Sequence, residues 1–251
     1  MNVIAFMNLK GGTAKTTTTV NTAAILARDY GQRVLVVDAD SQGNTTEFLG
    51  LGVEHPGLAQ LLRGGEAIIQ TTTLSDVDLL AGDDTLMDLD LSKAAAGEAK
   101  LECLLQLRQA EGIANRYDWM LVDCPPAFNA AAAAALLAAD QVVIPMKLDA
   151  FSLRGMANLI RQIRNMQIIN PTLRVAGILP TMWYGSDEIK KAERQLRMSA
   201  LPVFPHIRRS PKVDDMTFRQ RPLIYSSPKS GACQDYKHFV RRLVEGGAGN
   251  E

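Results

Sequence analysis

A chain of 251 residues, 47% hydrophobic and 22% charged, is long enough for a sizeable core and too apolar to stay disordered. No run approaches the ~18 apolar residues needed to cross a bilayer, and the start MNVIAFMNLK has no basic stretch ahead of a long apolar one, so the chain reads as soluble and cytoplasmic. The 27 basic and 27 acidic residues cancel, yet residues 188 to 242 hold thirteen Lys and Arg against five Asp and Glu, a local net of +8 that suggests an anionic partner. Three scattered cysteines, Cys103, Cys124 and Cys233, fit neither a disulfide framework nor a closed zinc site.

Apolar, β-rich runs alternate with helical patterns from end to end, without a linker or repeat, which predicts a single α/β domain over 1–251. Strands are expected at Val3 to Met7, Arg33 to Val37, Val77 to Leu80, Trp119 to Val122, Gln141 to Pro145 and Val175 to Leu179. Several are apolar throughout, as in a mostly parallel twisted sheet flanked by helices on both faces. Helices are expected near 16–30, 98–115, 128–138, 152–169, 186–198 and 231–245.

Directly after the first strand comes Lys10-Gly11-Gly12-Thr13-Ala14-Lys15-Thr16-Thr17, and then an amphipathic helix. Strand, glycine-containing loop, Lys-Thr and helix make a phosphate cradle. Backbone N–H groups and the helix dipole face the anion, Lys15 neutralises β/γ oxygens, and the Thr16 hydroxyl can ligate Mg²⁺. The usual pattern G-x-x-x-x-G-K-S/T has glycine where this chain has Leu9 and Ala14. A Cβ at Ala14 crowds the phosphate approach and, at positive φ, costs on the order of 1–2 kcal/mol. Asp38, Asp40 and Asp123 fall at the C-terminal ends of parallel strands, the edge where open α/β sheets bind ligands. Asp123 is placed to hold Mg²⁺ through its waters, and Asp38 joins Thr16 and Asp123 in the expected metal set.

The loop resembles the deviant phosphate loop K-G-G-x-G-K-T/S of the ParA/MinD superfamily of P-loop ATPases, with the extra lysine at Lys10. Asp38-Ala39-Asp40-Ser41-Gln42-Gly43-Asn44 is similar to the ParA switch I pattern D-x-D-P-Q-G-N, with Ser41 in place of Pro, and Asp123-Cys124-Pro125-Pro126 to switch II. Val143-Ile144-Pro145-Met146 leading to Leu153-Arg154-Gly155-Met156, then Gly177 to Met182, then Pro228 to Ala232, continue the likeness in order to the ParA/Soj branch. The resemblance implies ATP and Mg²⁺ as cofactors, with Lys10, Lys15 and Asp40 catalytic and Asp40 orienting the attacking water. Lys10 would reach into a partner subunit's site, so that two ATP molecules are sandwiched in a homodimer.

Nucleotide binding is expected of Lys10, Gly11, Gly12, Thr13, Ala14, Lys15, Thr16, Thr17, Arg208 and Arg209. From Ile207 the chain aligns with a ParA stretch in which Arg209 matches a family arginine, Arg208 replaces a proline, and Lys212 occupies a position that holds DNA without reading sequence. Another family arginine corresponds to Ser186, with Lys190, Lys191 and Arg194 close enough to substitute; Arg219 and Arg221 complete the expected DNA set. The family reading adds a ParB-like or other activating partner, a nucleoid location, slow partner-stimulated hydrolysis, no stable membrane insertion, and no helix-turn-helix domain ahead of the loop. Two alternatives stand beside it. One is a MinD-like membrane ATPase using the amphipathic stretch His238 to Glu245, and the other is a metabolic or metallocluster P-loop enzyme of the same fold.

Overall fold

The computed structural model describes residues 1–52 and 55–246, with 150–154 as backbone only. The chain runs β1 (Asn2–Phe6), α1 (Lys15–Tyr30), β2 (Val34–Asp38), α2 (Asn44–Phe48), α3 (Leu58–Leu62), β3 (Ile69–Thr71), β4 (Val77–Leu80) and α4 (Leu91–Ala95). It continues with α5 (Glu102–Gln109), α6 (Glu111–Ala114), β5 (Trp119–Asp123), α7 (Ala130–Ala138), β6 (Gln141–Lys147), α8 (Ala150–Ile169) and β7 (Arg174–Thr181). Helices α9 (Asp187–Arg197), α10 (Pro211–Phe218), α11 (Leu223–Ser226) and α12 (Gly231–Val244) complete it.

The seven strands form one sheet in the order β3-β4-β2-β5-β1-β6-β7, parallel except for β3, which runs antiparallel to β4 at the edge. Alternation along each strand divides the core in two. Val3 and Ala5 of β1, with Met7 just after it, face a layer that includes α5, α7, α8 and α9, and Ile4 and Phe6 face one that includes α1, α10, α11 and α12. The register sets Asp38 and Phe6 each opposite Asp123 on neighbouring strands, so three strand ends meet at one edge.

The expected helix over 98–115 is instead two short helices hinged at Ala110, whose ψ of 129° is extended. Only Leu104 of α5 is buried, and none of α6, so little apolar surface holds one continuous helix together. Strand β3 escaped the pattern because three residues are too short to show a period. Several helix ends obey local rules. Gly31 ends α1 at φ 62°, and the side chains of Asn129, Ser186, Ser210 and Ser230 cap α7, α9, α10 and α12.

Asn21 on α1 fastens the C-terminal layer. Its amide donates to Thr17 O at 2.8 Å, and its Oδ1 accepts from Leu223 N at 2.9 Å, the latter bond buried. Asn21→Ala leaves that buried N–H without an acceptor. It is expected to cost about 1–3 kcal/mol in urea unfolding, and a change within error would show that α11 is held by packing alone.

Candidate functional site: a phosphate loop and its carboxylates

Two side chains from outside the loop set its shape. The Asn8 amide donates to Pro145 O at 2.8 Å while Asn8 Oδ1 accepts from Lys10 N at 3.0 Å, stapling the loop to the end of β6. The hydroxyl of Thr181, at the end of β7, donates to Thr13 O at 3.1 Å. Gly12 and Ala14 both lie in the left-handed region, at φ 68° and 66°. Glycine accepts that conformation freely, whereas the Cβ of Ala14 makes it a strained link. The conditional strain read from sequence is therefore present.

Ala14 also stands at the N-cap of α1, and no side chain caps this helix, unlike the four Ser- and Asn-capped helices. Its first-turn N–H groups have no partner within the helix and present positive dipole ends to the loop. Lys15, 7% exposed, adds a full charge at the same end. Such a corner is suited to a phosphate chain.

The carboxylates meet beside it. Thr16 Oγ1 donates to Asp123 Oδ2 at 2.6 Å, and Thr45 Oγ1, from α2, donates to the same oxygen at 2.7 Å. Asp123 Oδ1 is buried without a hydrogen-bond partner among the described residues. Burial pushes the Asp123 carboxyl up to about 6, against the two hydroxyls and the Lys15 charge that lower it. No group of three or more His, Cys, Asp or Glu that could cage a metal occurs among the described residues. One orphan carboxylate oxygen with one or two hydroxyls suits Mg²⁺, which keeps most of its waters and takes phosphate oxygens.

Asp38 has a different employment from the metal contact expected of it. Its Oδ2 accepts from Thr46 N at 2.9 Å and Thr46 Oγ1 at 2.8 Å, and its Oδ1 accepts from Asp40 N at 3.2 Å. It holds the start of α2 in place, and burial together with the Asp123 charge raises its carboxyl to about 7. Asp40 is 8% exposed and uses Oδ1 to accept from Gln42 N at 3.1 Å.

Lys10 lies on the rim, its ammonium 2.7 Å and 3.0 Å from the two oxygens of Asp149. A cavity of about 320 Å³ opens beside Ala14, lined by Thr181, Met182, Arg208, Arg209 and Tyr236 among others, and is sized for a nucleoside. The Arg208 guanidinium is tied to α12, where its Nε and Nη2 donate to Asp235 at 2.7 and 2.8 Å. Gly11 and Thr17 stay with the loop and helix start. Asn8, Thr45, Thr46, Asp149 and Thr181 were not found from sequence. Of these only Thr45 and Thr46 carried a signal, as hydroxyls just after the second acidic motif.

The expected DNA set divides. Lys190, Lys191 and Arg194 lie on α9, whose Ile189 and Leu196 pack on the α7 and α8 side of the sheet. Lys212, Arg219 and Arg221 lie on and after α10, whose Met216 packs on the other side. The +8 stretch is thus divided between opposite layers. Phe239, Val240 and Leu243 of the amphipathic stretch His238 to Glu245 are buried against the core, and no helix among the described residues is long and apolar enough to cross a membrane. The side chains of Leu153 and Arg154 lie outside the described residues.

A family model described as an AAA domain matches residues 1–175. The sporulation initiation inhibitor protein Soj of Bacillus subtilis (strain 168) is 30% identical over 260 residues, covering 98% of this chain and 99% of its own. The chromosome-partitioning ATPase Soj of Thermus thermophilus is 38% identical over 196 residues, 77% of this chain and 75% of its own. The crystal structure of a cobyrinic acid a,c-diamide synthase from Mycobacterium smegmatis, with bound ADP and magnesium, superposes with a TM-score of 0.81 at 28% identity, covering 98% and 94% of the two chains.

Two outcomes follow from this geometry. Ala14→Gly removes the left-handed strain at the expense of a more flexible unfolded chain, for an expected net gain of about 0.5–1 kcal/mol in urea unfolding and tighter ATP binding by calorimetry. Neither change would mean the loop tolerates the methyl. The raised carboxyls of Asp38 and Asp123 make the nucleotide-free fold bind protons more tightly than the unfolded chain, whose carboxyls titrate near 3.8. Their contribution to stability is full below that value and is lost as pH rises through about 6 to 7. Asp38→Asn is expected to flatten the fall in melting temperature between acid and alkaline buffer, and an unchanged profile would assign the titration to other groups.

Proposed function

The chain belongs to the ParA/Soj family of partitioning ATPases, and on that premise we propose that it is an ATP- and Mg²⁺-dependent dimerising switch that holds DNA without reading its sequence. One observation carries this most directly: an uncapped helix start, a buried lysine and an orphan carboxylate oxygen converge beside a nucleoside-sized cavity.

In this reading the loop N–H groups and Lys15 hold the β- and γ-phosphates, with Gly11, Gly12, Thr13, Ala14 and Thr17 shaping the cradle. Thr16 and Asp123 hold Mg²⁺, which supplies charge neutralisation at the phosphates. Asp38 acts through Thr46, keeping α2 and so Thr45 at the metal corner. Asp40 orients the attacking water from the neighbouring strand end. Arg209 borders the nucleoside cavity, and Arg208 shapes its wall through Asp235. Lys10, on the rim, stabilises the γ-phosphate charge of a second copy, so the dimer depends on that phosphate.

DNA contact is assigned to Lys190, Lys191 and Arg194 on one face and to Lys212, Arg219 and Arg221 on the other. Each set is weak alone and useful when a dimer doubles it. Hydrolysis is slow, is stimulated by a ParB-like or other partner, and releases the DNA. The protein works in the cytoplasm on the nucleoid, as one ParA-like domain over 1–251, to segregate or position a plasmid, chromosome, mobile element or protein cargo.

The test measures ATP binding, sedimentation with a non-hydrolysable ATP analogue, and DNA binding across salt. Lys15→Ala should lose ATP binding, Asp40→Ala should accumulate as the ATP-bound dimer, and Lys190 with Lys191 changed to Glu, or Arg219 with Arg221, should weaken binding alike on unrelated sequences. The salt slope should fall by about one per lost phosphate contact. ATP-dependent DNA binding that survives both double variants would move the contact to other residues, and wild-type protein that ignores DNA at low salt with ATP would remove DNA from the reading.

A further inference from the structure

Lys10 is engaged within its own chain. Lys10 Nζ is 2.7 Å from Asp149 Oδ2 and 3.0 Å from Oδ1, with the two side chains 40% and 28% exposed. The two loops that present them are fixed relative to each other. Lys10 follows β1 and Asp149 follows β6, and these strands are parallel neighbours. Met7 N donates to Val143 O at 3.0 Å, and Asn8 binds Pro145 O on one side and Lys10 N on the other. Asp149 immediately precedes α8, whose N-terminus favours a carboxylate there. The pair is thus built by the backbone at the rim, where a second molecule can reach it.

We infer that Asp149 is a positioning residue for Lys10, a latch that keeps the lysine on its own subunit until a second nucleotide-loaded copy offers it a phosphate. The inference rests on the trans role of Lys10 proposed above. A lysine is a compact point charge and exchanges one anion for another without a fixed hydrogen-bond geometry. A carboxylate carries one negative charge and the terminal phosphate of ATP more, so ATP outcompetes Asp149, whereas an empty partner site or one that has lost the phosphate does not. The equilibrium moves only by the difference between these two interactions. Asp149 therefore sets a threshold: it opposes pairing of copies without ATP and recaptures Lys10 after phosphate is lost. Two latches open in each dimer, which squares the effect of a single pair.

The full chain is compared with Asp149→Asn, Asp149→Glu and Lys10→Ala by sedimentation in Mg²⁺ and a non-hydrolysable ATP analogue. An exposed ion pair contributes about a two- to fivefold factor, so Asp149→Asn is expected to lower the dimer dissociation constant by roughly four- to twenty-fivefold. Asp149→Glu, which keeps the charge, should return it toward the wild-type value. Nucleotide affinity of the monomer, measured at protein concentrations below dimerisation, should be the same in Asp149→Asn as in wild type, because Lys10 serves the other copy's site. If Asp149→Asn dimerises no more tightly than wild type while Lys10→Ala stays monomeric, the latch is wrong and the trans lysine stands. If Lys10→Ala dimerises like wild type, the trans role itself fails and the latch with it.

Discussion

One oxygen atom, Oδ2 of Asp123, takes hydroxyl hydrogen bonds from two helices that reach it from different parts of the chain, Thr16 of α1 and Thr45 of α2. Its twin, Oδ1, is buried and takes none among the described residues. A carboxylate in that position is costly to bury as an anion, and its raised proton affinity shows the direction of the penalty. A cation among phosphates relieves it. Much of the surrounding construction keeps that oxygen in place. Asp38 sits opposite in the β2–β5 register and anchors Thr46. Gly82 lets the next loop close over Asp38, since a Cβ there would come within 2.5 Å of the Asp38 carbonyl oxygen.

The parts legible in the sequence are those whose chemistry is local. The phosphate loop, the run of apolar strands and the aspartates at strand ends all announce themselves within eight residues, and the sheet edge brings them together as parallel topology requires. The braces were illegible because they act across the fold. Asn8 and Pro145 are 137 residues apart, and Thr181 and Thr13 are 168 apart. An asparagine after a strand or a threonine at the end of another carries no sign of the loop it will hold. Asp38 shows the intermediate case. Its place at the edge is readable, but nothing in the sequence marks Thr46 as the residue whose N–H and hydroxyl occupy its Oδ2.

The basic C-terminal stretch shows a different limit. Charge counted along a chain is one-dimensional, whereas between α9 and α10 the chain runs along the free edge of β7, where Phe204 N donates to Ile178 O at 2.8 Å, and passes from one layer to the other. Val203 joins the α7 and α8 layer and the adjacent Phe204 joins the other. A single +8 run is therefore divided between two layers with the sheet between them. The amphipathic end of the chain carries the same lesson, for the apolar face that suits a membrane equally suits a helix packed on α1, and Phe239 and Val240 are spent on that packing.

Strain and incomplete capping fall on the same residue. Ala14 is left-handed, and it begins a helix whose first-turn N–H groups receive no side chain. Either feature alone lowers the stability of the empty fold by about a kilocalorie per mole. An anion in the cradle satisfies the N–H groups but leaves the Cβ of Ala14 unrelieved, so the two have separate consequences. The missing cap is recovered on binding and adds to affinity. The left-handed alanine persists in both states, and it weakens binding only so far as it keeps the loop from its best approach to phosphate. Lys10 belongs to this balance as well, because Asn8 joins its backbone to the end of β6 while Asp149 holds its side chain beyond that strand. A loop braced at both ends, by Asn8 and by Thr181, has little room to adapt to an ill-fitting ligand. That rigidity favours a phosphate chain of fixed length over a generic anion.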